Sequence, residues 1–129
     1  MIEIKAGELG SAYSALDSLR VQPLPAGQAY RIARLGRELE KEVGLYQNAR
    51  TEVITKYCAK DDEGNPITDE NGNISIKQGS DNFTLAANEL ENLANEIIQI
   101  NVEPLELKEL NDVKFTPEQM NNLIMFIRE

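Results

Sequence analysis

The side chains of this sequence that could do chemistry are almost all carboxylates: 22 Asp and Glu stand against 13 Lys and Arg, with a single cysteine and no histidine. Without histidine, the commonest general base and the commonest metal ligand are both missing. The lone thiol, Cys58, has no imidazole to activate it and reads as a buried structural thiol. One cysteine also rules out an internal disulfide or a thiolate metal cluster. The acid–base chemistry that remains belongs to carboxylates such as Glu38/Glu42 and Glu89/Glu96. A two-carboxylate mechanism needs its acids facing across a cleft, whereas these spacings put them on solvated helix surfaces. Glycine-rich phosphate loops, GxSxG elbows and HExxH helices are absent. Asp61-Asp62-Glu63-Gly64-Asn65 and Asp69-Glu70-Asn71-Gly72-Asn73 have the composition of calcium loops. The EF-hand pattern requires glycine at its sixth position and a bidentate glutamate at its twelfth. Here glycine falls fourth from either aspartate, and the twelfth residue from Asp69 is Ser80, so turn formation explains both runs. No catalytic residue, metal ligand or cofactor site is expected.

Charge is unevenly spread along the chain, whose net charge is -9. Arg20 to Lys60 holds eight basic and four acidic residues, and Asp61 to Glu129 holds four basic and 15 acidic. Arg31, Arg34, Arg37 and Lys41 are spaced to share one side of a helix. Such a strip could meet phosphate or an acidic partner. The excess negative charge repels nucleic acid, so neutralisation by the chain's own acidic half, or by a second copy, is the expectation. The acidic half could instead imitate nucleic acid on the surface of a host protein, with Glu89, Glu91 and Glu96 as the candidate row.

The elements that must position these groups follow from hydrophobic periodicity. Ile2-Glu3-Ile4-Lys5 alternates like a half-buried strand. Leu9, Ala12, Tyr13, Leu16 and Leu19 mark a first amphipathic helix over Gly7 to Leu19, closed by Pro23 and Pro25. From Ala26 to about Lys60 there is no proline, and Ile32, Leu39, Tyr46 and Val53 recur every seven residues, with Leu35, Val43, Ala49, Ile54 and Tyr57 beside them. This is one long helix, with Gly36 and Gly44 as the two places where it could bend. Asp61 to Gly79 is rich in Asp, Asn and Gly, and its Asp69-Glu70-Asn71-Gly72 turn predicts a small β-hairpin. Ser80 or Asp81 caps a third helix whose Phe83, Leu90 and Ile97 again repeat at seven and which is expected to end near Ile98. Ile98, Ile100 and Val102 alternate as a strand and pair with Ile2–Lys5. Thr116-Pro117-Glu118-Gln119 is a capping box for a last helix carrying Met120, Leu123, Ile124 and Ile127 on its apolar face. No internal repeat, membrane span or secretory leader is evident.

Two central helices joined by a short excursion pack antiparallel. A helix of thirty-odd residues is roughly 45–50 Å long, whereas a domain of this length has a radius of gyration of about 14 Å. Part of the helical hairpin should therefore project, with residues 61–79 as a protruding acidic tip. The alternative is a monomeric bundle with the long helix broken at Gly36 or Gly44. If the helix projects, its apolar stripe meets another chain, and Ile32, Leu35, Leu39, Val43, Tyr46, Val53 and Tyr57 are the candidate interface residues. Tyr30, Tyr46 and Tyr57 lie on or beside the stripe and serve packing, not base stacking.

The order of these features resembles a family of short tailed-bacteriophage and prophage proteins of unknown function. The residues that carry it are Met1–Lys5, Leu24-Pro25, Tyr30-Arg31-Ile32-Ala33, Glu38–Glu42, Tyr46–Arg50, Lys56-Tyr57, the Lys60–Asn65 and Asp69–Asn73 runs, and Phe115–Met120. The resemblance implies a viral origin and binding rather than catalysis, and it supplies no site residues. The expected fold is mainly α with minor β, in a single domain over 1–129: a long antiparallel helical hairpin with flanking N- and C-terminal helices, a two-stranded element and the tip hairpin. The expected function is a non-enzymatic phage assembly or structural accessory in the infected cytoplasm or the virion. It should self-associate or bind a phage or host protein, without nucleic acid, membrane or cofactor. The alternatives are an acidic inhibitor of a host nucleic-acid-binding or defence protein, and a small enzyme using carboxylates alone.

Overall fold

Ile2 and Ile4 share one face of a strand, and both are buried, as period-two alternation requires. In the computed structural model, which describes Met1–Glu129, this strand, β1 (Ile2–Lys5), pairs antiparallel with β2 (Ile97–Ile100). Ile2 lies opposite Ile100 and Ile4 opposite Ile98. A 3-10 turn, Ala6–Glu8, leads into α1 (Leu9–Arg20), whose Leu9, Ala12, Ala15, Leu16 and Leu19 are buried in one stripe.

The long helix forms as one piece. α2 (Ala26–Tyr57) runs for 32 residues without interruption through Gly36 and Gly44, so neither glycine breaks it. The two glycines differ in surroundings. A Cβ at Gly36 would lie 3.4 Å from Leu16 Cδ2 and 3.6 Å from Arg20 Cζ, while one at Gly44 would meet nothing within 4 Å. Gly36 lets α1 lie close against α2, and Gly44 has no such task.

The chain then enters a tip, and returns along α3 (Asp81–Ala94), whose Ser80 side chain accepts a hydrogen bond from Phe83 N. After β2, a two-residue strand β3 (Leu105–Glu106) pairs in parallel with β4 (Ile127–Arg128). No periodicity announces so short a pair. α4 (Pro117–Leu123) starts at the expected capping box: Thr116 Oγ1 accepts from Gln119 N, and Gln119 Oε1 accepts from Thr116 N. It is shorter than its apolar pattern predicts. Ile124 is exposed, Ile127 belongs to β4, and Phe126, on a closing 3-10 turn, is the buried residue in their place.

The tip contains a repeat that composition conceals. Asp61–Thr68 and Asp69–Ile76 are tandem octapeptides of the form Asp-x-x-Gly-Asn-x-x-x, and they fold alike. In each, the aspartate Oδ1 accepts from the backbone N–H two and four residues on, at 2.9–3.0 Å. In each, the aspartate N–H donates to the asparagine carbonyl and the glycine N–H to the aspartate carbonyl. Gly64 and Gly72 hold φ of 84° and 80°, the left-handed position of a type I turn closed by a glycine bulge. The expected hairpin at Asp69–Asn73 is thus one of two, each with a single bridge: Lys60 to Pro66, and Thr68 to Ile74.

Burial divides the molecule. The core joins Ile2, Ile4 and Ile100 of the sheet, the α1 stripe, Ile32, Leu35 and Leu39 of α2, and Leu105, Leu110, Val113, Leu123 and Phe126 near the C-terminus. We call this part the head. Between Glu40 and Gln99, only Cys58 and Ala86 are buried. That stretch is a stalk, made of α2 from Val43 onward and α3, with the tip at its end. The fold is mainly α with minor β, and no helix is long and apolar enough to cross a membrane.

Candidate interaction surface

The seven-residue stripe of α2 does two different jobs. Ile32, Leu35 and Leu39 are at most 2 % exposed and sit in the chain's own core, so they have no surface to offer another chain. Val43 and Tyr46 are half-buried against the edge of that core. Val53 and Tyr57 are half-buried on the stalk. The candidate interface is therefore the stalk end of the stripe, not its whole length.

A polar clamp sets how α2 and α3 lie together. Tyr57 donates its hydroxyl to Glu89 Oε1 at 2.8 Å, and Lys56 Nζ reaches the same oxygen at 3.2 Å. These bonds, Tyr57's first and Lys56's second, hold the Glu89 carboxyl below the ordinary carboxylate value, and the Lys56 ammonium is raised chiefly by Glu89. The groups are exposed, so the ion pair adds little to stability; it fixes register.

The two flanks of the stalk differ. On one, Ala49, Glu52 and Lys56 of α2 face Glu89, Asn92 and Glu96 of α3 across a cleft of about 440 Å³. Val53 and Leu93 also line this cleft, so this flank mixes charged and apolar side chains. At 3.6 residues per turn, the opposite flank of α2 carries Tyr46, Arg50 and Ile54, each four residues apart. The matching side of α3 carries Phe83, Ala87, Leu90 and Ala94. Phe83 is 40 % exposed, and Tyr46, Ile54 and Leu90 are half-buried. Two helices alone cannot enclose this apolar side. At its lower end α3 seats on the head, where a Cβ at Gly7 would come within 3.1 Å of Ala94 Cβ. Below the flank lies a groove of about 610 Å³ between α1, α2 and α4, lined by Ser11, Ser14, Gln47, Arg50, Glu118 and Asn122 among others. Arg50 stands 6.0 Å over the Tyr46 ring and has no carboxylate within ion-pair distance.

The acidic candidates are not brought together. Glu89 and Glu96, seven residues apart, line the charged cleft; Glu91, two residues from Glu89, falls on the other side of α3. The basic strip is partly answered from within the chain. Arg31 is paired with Glu109, and Lys41 lies 3.8 Å from Glu38. No group of three or more carboxylate or thiol side chains is placed to hold a metal ion. Sequence reasoning missed Arg50, although the signal was available: it is the one charge at a stripe position, four residues after Tyr46.

Neither a curated protein nor a solved structure matches this chain. A family model does match, and it runs from the first residue of the head, through the stalk and tip, to the last residue of α4. The chain belongs, over residues 1–123, to the family described as "Protein of unknown function (DUF1617)".

Proposed function

We propose that this protein is a non-enzymatic interaction protein that self-associates through its stalk, acting as a structural or assembly accessory of a tailed bacteriophage. One observation carries the self-association: beyond Tyr46, which rests on the edge of the core, the flank of Ile54, Phe83, Ala87 and Leu90 stays partly open, with Phe83 40 % exposed. Covering it removes apolar surface from water at roughly 25 cal/mol per Å². The viral setting rests on the sequence resemblance, and the family's description leaves that setting open. An inhibitor imitating nucleic acid would use Glu89, Glu91 and Glu96 as one row, and their separation gives that reading no comparable support.

Light scattering on a sizing column, combined with small-angle X-ray scattering, tests the proposal. The expected result is a discrete multiple of 14.4 kDa with an elongated profile. A monomer at every concentration would remove self-association and leave the flank to a different protein.

A further inference from the structure

The groove between α1, α2 and α4 encloses about 610 Å³, within the roughly 300–1,000 Å³ of small-molecule sites. Its lining inverts the usual composition. Such sites are mostly apolar with a few polar groups, whereas only Ala15, Val43 and Tyr46 of these 12 lining residues are hydrophobic. The polar walls are Ser11 and Ser14 of α1, Gln47 and Arg50 of α2, and Glu118 and Asn122 of α4. None of these six side chains makes a hydrogen bond or an ion pair within the chain. Gln119 beside them is engaged: its Oε1 accepts from Thr116 N and its Nε2 donates to Ser18 Oγ. Gly10 leaves one wall bare. The fold does not require glycine there, since its φ is not positive and a Cβ would meet nothing within 4 Å.

This lining selects a ligand by exclusion. A cleft of one sign concentrates ligands of the other, but here a single cation, Arg50, is balanced by a single anion, Glu118. Neither an anion nor a cation is favoured, and an apolar ligand would strip the polar walls of water without replacing their hydrogen bonds. What fits is a neutral ligand with donors and acceptors over its whole surface. Hydroxyls and primary amides each donate and accept, and so match a row of hydroxyl groups. Glu118 can accept from two of them, Arg50 can donate, and the Tyr46 ring can meet the C–H face of a sugar. We propose that the groove is a binding site for a neutral saccharide. A second depression of about 290 Å³ shares Gly7, Ser11 and Asn122 with it. The site therefore continues past the groove and takes an oligosaccharide, not a single ring. An extended peptide, which needs seats for alternate side chains, finds few apolar ones here.

The proposal goes beyond the self-association reading, and its test reads ligand contacts, not oligomeric state. The isotope-labelled full chain is titrated with neutral oligosaccharides of glucose, galactose and N-acetylglucosamine and with each single sugar, followed by NMR. The expected result is that at least one oligosaccharide shifts the side-chain amides of Gln47 and Asn122 with a Kd of about 1 mM or tighter. Its single sugar binds about tenfold more weakly, and Gln47→Ala and Asn122→Ala each weaken the oligosaccharide about fivefold. Gly10→Leu fills part of the groove and weakens binding about tenfold or more, while the melting midpoint stays or rises because leucine is the better helix former. That pairing separates a blocked site from a damaged fold. No groove shift with any saccharide up to about 10 mM overturns the proposal. Saccharide binding that survives Gly10→Leu overturns it, as does a trialanine peptide that shifts Gln47 and Asn122 where no saccharide does.

Discussion

The head and the stalk are built from the same long helix, yet they are stabilised differently. In the head, α2 gives Ile32, Leu35 and Leu39 to a core shared with α1, the β1–β2 sheet and the C-terminal segment. In the stalk, Val43 and Tyr46 still touch the edge of that core, and Val53 and Tyr57 farther along lie half-buried beside α3. The difference shows that a periodic stripe reports burial without saying by what. Where other elements of the chain reach, the stripe becomes core. Where they stop, it stays partly open.

The largest expected contrast comes from truncating one side chain in each region. Phe126→Ala in the head removes a fully buried ring and should cost about 3–5 kcal/mol of monomer stability. Leu90→Ala in the stalk should cost the monomer about 1 kcal/mol, since a half-exposed side chain loses only part of its transfer energy. Urea unfolding at low protein concentration compares the two, and equal losses would break the head–stalk distinction. Next in size is the head's capping box. Thr116→Ala should cost about 1 kcal/mol by freeing the Gln119 N–H, seen as a shifted urea midpoint with an unchanged slope.

Glycines sharpen the comparison further. Gly44→Ala adds a methyl group in open space on a helix and should stabilise by about 0.5–1 kcal/mol, raising the melting midpoint. Gly72→Ala forces a side chain into φ of 80° and should strain the tip by about 1 kcal/mol. Hydrogen exchange should speed up at Asn71–Asn73 and stay unchanged in the head. The smallest effect is on pH. Glu89 has its carboxyl held low by Tyr57 and Lys56. A carboxylate lowered on folding contributes stability above its ordinary value of 4.5 and loses that contribution as the pH falls through the lowered value. The stalk clamp should therefore hold at neutral pH and release only below about pH 4.5. NMR titration of Glu89 should show the low value, and Tyr57→Phe should move it back toward the ordinary one.

Much of this architecture was legible in the sequence because it follows from local rules. The alternation at Ile2–Lys5, the prolines before Ala26, the heptads of α2 and the Thr116 capping box each name an element within a few residues. Elements fixed by tertiary contact were not legible. The β3–β4 pair is two residues long, too short for any period to register, and it draws Ile127 out of the last helix. The apolar pattern of Met120–Ile127 therefore overstated α4. The tip repeat escaped because its shared positions, Asp, Gly and Asn, read as generic turn composition until their bonding is seen twice. The division of the α2 stripe depends on where α1 and α4 end in space, which the stripe itself does not encode. Arg50 stood out in the sequence as the one charge on the apolar stripe, but its surroundings depend on that same division.

The central claim is that the Tyr46–Ile54 and Phe83–Leu90 flank is covered by a second copy. Sedimentation velocity of the wild-type chain beside an Ile54→Asp/Leu90→Asp variant tests it most directly. The account predicts that the wild type sediments at twice 14.4 kDa and the variant as a single chain with the helical spectrum retained. Wild type and variant sedimenting alike, whether both single or both paired, would contradict it.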